Sequence, residues 1–267
     1  MQPNEITHAY ILAEPSAVSR YVPLQCPINL PIASAMFGLQ RLGIECEFFT
    51  WAQLKHGKLD HLKPTTIVLG GVEAVLLALQ KLGKPVPPPL DYPQSLRSFL
   101  GRTVTQMSLA AAMEEPLPVF IKSVGHKVLD GVLYVSDAQR RNHLGQRAYE
   151  TPKLRVWVSP KVDLQAEARV FVHKGKIIGI HPYENATGWS QLPPAFPKIM
   201  LAVEAYQKSG EAPSAYTLDF GIAYTGTEGR LEPLLVEVND GFAFGPYGLP
   251  QRLHVDMLLS RWAELMG

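Results

Sequence analysis

The stretch that decides the fold is residues 216–240, which read YTLDFGIAYTGTEGRLEPLLVEVND near the C-terminus of the 267-residue chain. Apolar and polar residues alternate on both sides of residues 225–230, a pattern typical of two strands joined by a turn. We predict a hairpin whose turn is centred on Glu228, because a slip of one residue would mix its apolar and polar faces. This register makes three apolar pairs: Leu218 with Val238, Phe220 with Val236, and Ile222 with Leu234.

The other face of this hairpin carries oxygen-bearing side chains. The register places Asp219 opposite Glu237, and Asn239 follows two residues later on the same face. Like charges at opposed positions destabilise a sheet unless something compensates for them. Two carboxylates and one amide suit Mg²⁺. Because strand neighbours two apart are separated by roughly 6.6 Å, Glu237 and Asn239 are spaced to serve two metals. The alternative is a solvated polar face of an amphipathic hairpin.

Two lysines lie upstream in a setting that suggests an anion. The strand-like run PVFIKS at residues 118–123 places Lys122 among apolar residues. A buried ammonium is costly without a partner, so Lys122 either meets an anion or lies on an edge strand in solvent. The glycine-containing turn at residues 124–131 carries Lys127 and is suited to folding over a phosphate with its backbone N–H groups. It lacks the spacing of a P-loop.

A third segment, residues 167–181, has the pattern of a hairpin that turns at residues 174–175. Glu167, Arg169 and Phe171 share one face of its first strand. A guanidinium in that position can bind phosphate oxygens with two parallel hydrogen bonds. A structural ion pair between Arg169 and Glu167 is the alternative, and the sequence leaves both interpretations open.

The composition excludes several classes of protein. With 25 Lys and Arg against 24 Asp and Glu, the net charge is +1, whereas a dedicated nucleic-acid binder carries a basic surplus. Cys26 and Cys46 are too few for a disulfide scaffold or a four-sulfur zinc site. The longest apolar run, residues 74–79, is far below the roughly 20 residues that span a bilayer, and the N-terminus lacks the pattern of a signal peptide. We expect a soluble, cytoplasmic protein that binds neither nucleic acid nor a membrane.

The order of the predicted elements divides the chain into two parts. Strand-like and helix-like segments alternate at first, which favours a small, open, mostly parallel sheet. After a helical patch at residues 109–115, we predict strands from 118 to 239, mostly as hairpins, and a terminal helix at 251–266. We therefore expect an N-terminal α/β domain at residues 1–105 and an α+β domain at 106–267. The predicted elements of the first part are strands at residues 10–13, 44–49 and 66–69, and helices at about 32–39 and 72–82 that stop at Gly43 and Gly83.

Taken together, these features resemble the ATP-grasp superfamily, and most closely its clade named for one arginine and two lysines. The features are a strand lysine, a lysine in a glycine-containing turn, a Glu-x-Arg strand and a terminal Asp…Glu-x-Asn hairpin, and they span about residues 105–250. The preceding α/β segment is similar to the N-terminal domain of that clade. The resemblance implies an α+β ATP-grasp fold with a nucleotide cleft between two subdomains. The chain departs from the family in lacking a long glycine-rich phosphate loop, since only Gly125 and Gly131 are available there.

The resemblance also implies roles for the charged residues. Lys122 and Lys127 would contact the phosphates of ATP, and Lys127 and Arg169 would act in catalysis. Arg169 would stabilise the phosphoryl group during its transfer. The residues implied as Mg²⁺ ligands are Asp219, Glu237 and Asn239.

For the rest of the nucleotide, the resemblance points to the middle of the second part. The stretch Val156, Trp157 and Val158 resembles the hinge whose backbone pairs with adenine. Glu167 would bind nucleotide hydroxyls or orient the lysines and the arginine. The loop at residues 241–248 is either a wall of the acceptor pocket or a turn that packs its two phenylalanines.

The function implied is that of an ATP-dependent carboxylate–amine ligase. Such an enzyme forms an amide or peptide bond through an acyl phosphate, with Mg²⁺ and with a small carboxylate and an amine (an amino acid or a peptide) as substrates. A homodimer is compatible with this interpretation. The alternatives are an ATP-dependent small-molecule phosphotransferase and a nucleotide-binding module without catalysis.

Overall fold

The computed structural model describes residues 1–13, 30–126, 128–183, 196–225 and 230–267. Within those ranges the chain forms three sheets, one of three strands and two of four. None of the helices in the same ranges is long and apolar enough to cross a membrane.

The N-terminal sheet is built from parallel strands that alternate with helices. Its elements are β1 (His8–Leu12), α1 (Leu30–Arg41), β2 (Glu45–Phe49), α2 (Trp51–Lys55), β3 (Thr66–Leu69) and α3 (Gly71–Lys81). Both neighbours of β1 run parallel to it, in the order β2-β1-β3. Gly43 and Gly83 lie just beyond α1 and α3 with φ of 78° and 67°, a conformation that glycine adopts without steric cost. The predicted parallel sheet and its two helix stops are confirmed.

The second sheet is antiparallel and has the order β4-β7-β5-β6. Its apolar face packs on two helices, with Ile121, Val156 and Leu144 in one buried cluster. The elements of this layer are β4 (Thr105–Ser108), α4 (Leu109–Ala112), β5 (Val119–Ser123), β6 (Val132–Tyr134), α5 (Asp137–Glu150) and β7 (Arg155–Pro160).

The third sheet is antiparallel with the order β11-β10-β8-β9. One helix covers one of its faces, and the ring of Tyr206 meets the ring of Tyr216 edge-on at 5.0 Å. The elements of this layer are β8 (Leu164–His173), β9 (Lys176–Pro182), α6 (Phe196–Ser209), β10 (Ala215–Thr225) and β11 (Arg230–Asp240), and α7 (Gln251–Met266) follows them.

The prediction that strands fill residues 118–239 is wrong in two places, because α5 and α6 lie within that range. Helix α5 reads DAQRRNHLGQRAYE and buries only Arg140 and Leu144, so it shows no apolar periodicity. It forms nonetheless because its N-cap residue Ser136 accepts a hydrogen bond from the backbone N–H of Gln139 at 3.3 Å, which satisfies one of the free N–H groups of the first turn. Helix α6 has a buried apolar face that the strand prediction overlooked.

The C-terminal hairpin has the predicted register from the pair of Tyr216 and Asp240 to the pair of Asp219 and Glu237. Leu218 pairs with Val238, and Asp219 pairs with Glu237. Beyond this point the predicted register is wrong, because a bulge displaces one strand. Phe220 therefore pairs with Leu235 instead of Val236, and Ile222 pairs with Pro233 instead of Leu234.

A half-buried arginine outside the hairpin binds the strand at the bulge. Arg102 donates hydrogen bonds to the carbonyl oxygens of Leu235 and Val236, both at 2.9 Å. A bulge leaves one residue unpaired in the ladder, and these bonds satisfy carbonyl groups at that point. Alternation of side chains could not reveal a contact with a residue so distant in sequence.

The terminal helix is confirmed at residues 251–266 and returns the chain to the N-terminal sheet. Val255, Leu258 and Trp262 lie in the same buried cluster as β1 and β3. The indole Nε1 of Trp262 donates to the carbonyl of Pro64 at 2.9 Å. The division of the chain at residue 105 stays a prediction.

Candidate active site

The second and third sheets meet at a cleft that holds a cavity of about 430 Å³. We call it the central cavity and define it by the side chains of Asp91, Lys122, Glu237 and Asn239 and by residues 125, 126 and 129–131 around it. Lys122 comes from β5 of the second sheet, whereas Glu237 and Asn239 come from β11 of the third. The cavity is therefore walled by both sheets.

Lys122 crosses this cleft. Its Nζ lies 2.9 Å from Oε2 of Glu237 and 2.6 Å from Oδ1 of Asp91. Burial opposes the charge of the ammonium, but the two carboxylates outweigh burial and raise its pKa. The side chain of Lys122 is only 17% exposed, so the alternative of a lysine in solvent on an edge strand is wrong.

Arg169 forms an ion pair with Asp219, which lies opposite it in the pairing of β8 with β10. Its Nε and Nη2 reach the two carboxylate oxygens at 2.8 Å and 2.7 Å. The ring of Tyr247 lies 4.6 Å from the guanidinium carbon, and the hydroxyl of Tyr183 donates to Asp219 at 2.8 Å. The alternative pair with Glu167 is thus replaced by a pair with Asp219.

Asn239 connects the two carboxylates. Its Nδ2 donates to Oδ2 of Asp219 at 2.9 Å and to Oε1 of Glu237 at 3.1 Å. These bonds, together with Lys122 and Arg169, compensate the like charges that face each other across the hairpin. Burial raises the pKa of Asp219. For Glu237, Lys122 overcomes the effect of burial and holds the pKa below its usual range. The three predicted metal ligands are therefore brought together.

Two of the three predicted metal ligands fit Mg²⁺ better than the third. Glu237 and Asn239 line the central cavity, and their oxygens are the hard ligands that Mg²⁺ prefers. The side chain of Asp219 is only 1% exposed and both its oxygens accept hydrogen bonds, so it fits a metal only if Arg169 releases an oxygen. Among the described residues, no group of three or more His, Cys, Asp or Glu side chains is placed to hold a metal ion.

The second predicted lysine, Lys127, lies outside the described residues, but the loop around it is held at both ends. The backbone N–H of Leu129 donates to Oγ of Ser123 at 3.0 Å. The ring Nε2 of His126 lies 2.9 Å from the carbonyl oxygen of Pro87, and His126 lines the central cavity. These contacts fix the loop over one side of the cavity.

Glu167 interacts electrostatically with the carboxylates of Asp219 and Glu237. Burial raises its pKa to about 7, the charges of Asp219 and Glu237 add to the rise, and Arg169 opposes it. Near neutral pH this carboxyl group is therefore partly protonated, which lets it donate as well as accept a hydrogen bond.

The comparisons with known proteins identify the family. The model of an ATP-grasp domain family, the second family of the clade named for one arginine and two lysines, matches residues 99–257. The chain belongs to this family. The resemblance found in the sequence and the ATP-grasp fold are thereby confirmed, whereas no curated protein sequence matches the chain.

Solved structures of ATP-grasp proteins show the same fold over nearly the whole chain. D-alanine–D-alanine ligase from Bacillus anthracis complexed with ATP is 13% identical with a TM-score of 0.56, over 97% of this chain and 98% of that one. A RimK domain ATP-grasp protein from Sphaerobacter thermophilus DSM 20745 is 15% identical with a TM-score of 0.55, over 94% and 98%. D-alanine–D-alanine ligase from Coxiella burnetii is 12% identical with a TM-score of 0.53, over 98% and 95%.

In this ATP-grasp domain, the predicted hinge lies inside a sheet. Strands β4 and β5 flank β7 on both sides over Val156, Trp157 and Val158. Their backbone groups are therefore engaged by neighbouring strands, and this geometry does not support pairing of that backbone with adenine. Trp157 instead contributes its side chain, since its indole Nε1 donates to Oδ2 of Asp91 at 3.0 Å.

The segment that follows the predicted hinge lines a second cavity of about 150 Å³. We call it the apolar cavity; Phe120, Leu133 and Leu234 are among its walls, together with residues 159–162. Phe120, Val236 and Glu237 line both this cavity and the central cavity. The ATP-grasp cleft thus has an apolar and a charged compartment side by side.

A third cavity, of about 370 Å³, lies between the N-terminal sheet and the loop at residues 241–248. We call it the N-terminal cavity; its walls include Leu12, Leu69 and Phe244. It shares Phe242 and Ala243 with the central cavity. The loop also packs as a turn, because Phe242 is buried among the residues of the N-terminal core.

Sequence reasoning missed Asp91 entirely. Asp91 is the only charged residue between Lys84 and Arg97, a stretch rich in proline. A single charge in such a linker is the one feature of the sequence that could have indicated its role. It also missed the two tyrosines around Arg169, because their rings come from separate loops. Aromatic residues in loops have no periodicity that would predict such a contact.

Proposed function

We propose that this ATP-grasp protein is an ATP-dependent carboxylate–amine ligase that forms an amide or peptide bond. The observation that carries the proposal is the arrangement of Lys122 with Glu237 and Asn239 across the central cavity. A cation on one wall and carboxylate and amide oxygens on the other suit a polyphosphate held between a lysine and a metal ion. The Bacillus anthracis structure, a ligase complexed with ATP, supports the proposal at the level of the fold.

The two compartments of the cleft divide the nucleotide between them. Adenine would occupy the apolar cavity beside residues 159–162, where β7 ends at Pro160. Its phosphates would lie in the central cavity on Lys122, with the loop that carries Lys127 over them. Glu167 would bind nucleotide hydroxyls. Because neighbouring strands engage the backbone of residues 156–158 on both sides, the adenine contact would lie in the segment that follows them.

Glu237 and Asn239 would hold Mg²⁺, with Asp219 as a further ligand where Arg169 releases it. The bound metal supplies neutralisation of the negative charge on the transferring phosphate. Arg169 adds a fixed positive charge from the chain itself, and the rings of Tyr183 and Tyr247, which pack against each other and against the guanidinium, limit its movement.

The proposed reaction has two steps and needs no protein nucleophile. An oxygen of the substrate carboxylate attacks the γ-phosphorus of ATP, the bond to the bridging oxygen breaks, and ADP leaves. The amine nitrogen then attacks the acyl carbon, phosphate leaves with the bond electrons, and the nitrogen loses a proton. The protein contributes positioning and positive charge, which are what phosphoryl transfer requires.

The carboxylate substrate would enter from the N-terminal cavity. This cavity adjoins the central cavity through Phe242 and Ala243, so an acid bound there faces the phosphates. Because its walls are mainly aliphatic and aromatic side chains, we assign it to the apolar side chain of an amino acid or short peptide.

A screen of ADP and phosphate release tests this proposal. Pairs of amino acids, short peptides and polyamines are mixed with ATP and Mg²⁺, and products are identified by mass spectrometry. A ligase releases ADP and phosphate only when the acid and the amine are both present. ADP release without phosphate, from a single phosphorylated substrate, would show a phosphotransferase. ATP binding without any turnover would show a nucleotide-binding module.

The variant Glu237→Gln is the control for the screen. It removes the charge that faces the metal while keeping the shape of the side chain, so ADP release should fall by about 100-fold or more. Unchanged turnover in a folded Glu237→Gln protein would refute the metal assignment.

A further inference from the structure

Asp91 lies in the linker that precedes the second sheet, and its position is fixed by its own backbone. Its φ of 38° is in the left-handed region, which few residues other than glycine adopt. Its carbonyl oxygen accepts a hydrogen bond from the N–H of Val238 at 2.9 Å. Val238 stands between Glu237 and Asn239 on β11, so this bond ties the linker to the proposed metal-binding strand.

The carboxylate of Asp91 divides its oxygens between two partners. Oδ1 lies 2.6 Å from Nζ of Lys122, and Oδ2 accepts the indole N–H of Trp157 at 3.0 Å. The side chain is only 12% exposed, and Trp157 is fixed by the ring of Tyr92 at 4.9 Å, edge-on. A buried ion pair with a second hydrogen bond on the carboxylate has little freedom to move.

Lys122 therefore has two carboxylate partners, Asp91 and Glu237. Only Glu237 is also a proposed ligand of the metal. If Glu237 binds a metal, its oxygens are shared between the metal and the lysine. Asp91 already uses its second oxygen for the indole of Trp157, so it stays with Lys122.

We infer that Asp91 is a positioning residue that holds the ammonium of Lys122 in place for a phosphate of ATP when Glu237 turns to the metal. The inference rests on the proposed function, because it assumes that a nucleotide phosphate meets Lys122. Asp91 contacts neither the nucleotide nor the metal in this account; it acts through Lys122.

A merely structural role for Asp91 would have other consequences. The backbone bond to Val238 is unaffected by a change of side chain, so the relevant structural contact is the indole of Trp157. Trp157→Phe removes that bond and leaves the ion pair with Lys122 intact. If Asp91 serves only to anchor Trp157, then Asp91→Asn, which keeps an oxygen for the indole N–H, weakens nucleotide binding no more than Trp157→Phe.

A double-mutant cycle measured by calorimetry tests the inference, with ATP and Mg²⁺ titrated into each folded variant. Asp91→Asn should weaken ATP binding about tenfold in the natural background and less than about twofold in Lys122→Ala, because coupled residues are not additive. Trp157→Phe should have the smaller effect of the two single changes. Asp137→Asn, which breaks the 2.6 Å pair with Arg140 on α5, is the matched control and should leave binding unchanged.

The outcomes separate the inference from the proposed function. Equal losses for Asp91→Asn in both backgrounds, or no loss in the natural background, would overturn the positioning role. If Lys122→Ala itself left ATP binding unchanged, the proposed nucleotide site would fail and the inference would fail with it. Loss of binding in the Asp137→Asn control would show that breaking any such pair perturbs the protein, and would also overturn the specific role.

Discussion

Strand β11 contributes a carboxylate to two ion pairs, Glu237 with Lys122 and Asp240 with Arg261. Comparing them distinguishes a pair proposed to be functional from a structural one. Lys122 and Glu237 are 17% and 28% exposed and face a cavity. Arg261 and Asp240 are 9% and 5% exposed, and the guanidinium reaches both carboxylate oxygens at 2.7 Å. Asp240 also lines the central cavity, but Arg261 binds both of its oxygens and lies away from that cavity, whereas Lys122 and Glu237 both border it.

The difference shows that a short distance between charges does not by itself mark a site. In the first pair, Glu237 also accepts a hydrogen bond from the amide of Asn239, and Lys122 has a second carboxylate partner in Asp91. An ion pair that a ligand can rearrange must border unused space with both of its members; alternative partners alone do not distinguish it, since Arg261 also pairs with Glu264 at 3.0 Å. The Arg261–Asp240 pair instead connects the hairpin to the terminal helix.

Arg261→Met should produce the largest effect on stability and sharpen the comparison. It leaves the buried carboxylate of Asp240 without its cation, which costs about 3–5 kcal/mol of unfolding free energy. Urea unfolding measures this loss. The double variant with Asp240→Asn should recover part of it, and ATP affinity of the folded fraction should stay unchanged. A stability loss below about 1 kcal/mol would contradict the structural role.

Lys122→Ala should affect nucleotide binding more than folding. It removes the cation that faces the phosphates, so calorimetry should show ATP affinity reduced by about tenfold or more, the effect of losing one charged hydrogen bond. An ATP affinity equal to that of the natural protein would remove Lys122 from the site.

The smallest predicted effect is a pH dependence that arises at Glu167. Because burial raises its pKa in the folded protein to about 7, above its ordinary value near 4.5, the folded state binds more protons between these values. This residue therefore contributes a stability that is present below about pH 4.5 and is lost as the pH rises to about 7. Glu167→Gln should remove that slope in urea unfolding at successive pH values. An identical slope in both proteins would contradict the assignment.

The sequence predicted the parts of the fold that depend on periodicity. The parallel N-terminal sheet, the terminal helix and the pairing of Asp219 with Glu237 are all confirmed, because each buries a regular apolar face. Helix α5 was not predicted because it buries few side chains. The bulge in β11 was not predicted because its carbonyl groups are bound by Arg102, which is far away in sequence.

The candidate site was predictable where its residues lie on strands and not where they lie in connections. Lys122, Arg169 and the three residues of the hairpin stood out as charged or polar groups among apolar neighbours. Asp91 comes from a linker, and its role depends on a tertiary contact with Lys122 that no local pattern contains. The adenine contact on β7 was predicted from family resemblance alone; because both neighbouring strands engage that backbone, we propose the contact in the segment that follows.

The central claim is that the pair of Lys122 and Glu237 marks a site for ATP and Mg²⁺. Calorimetric titration of ATP with and without Mg²⁺, into the natural protein and Glu237→Gln, tests it most directly. We predict that Mg²⁺ strengthens ATP binding in the natural protein and has little effect in Glu237→Gln, with Arg261→Met behaving like the natural protein. Absence of ATP binding in the natural protein, or an equal Mg²⁺ effect in Glu237→Gln, would contradict the account.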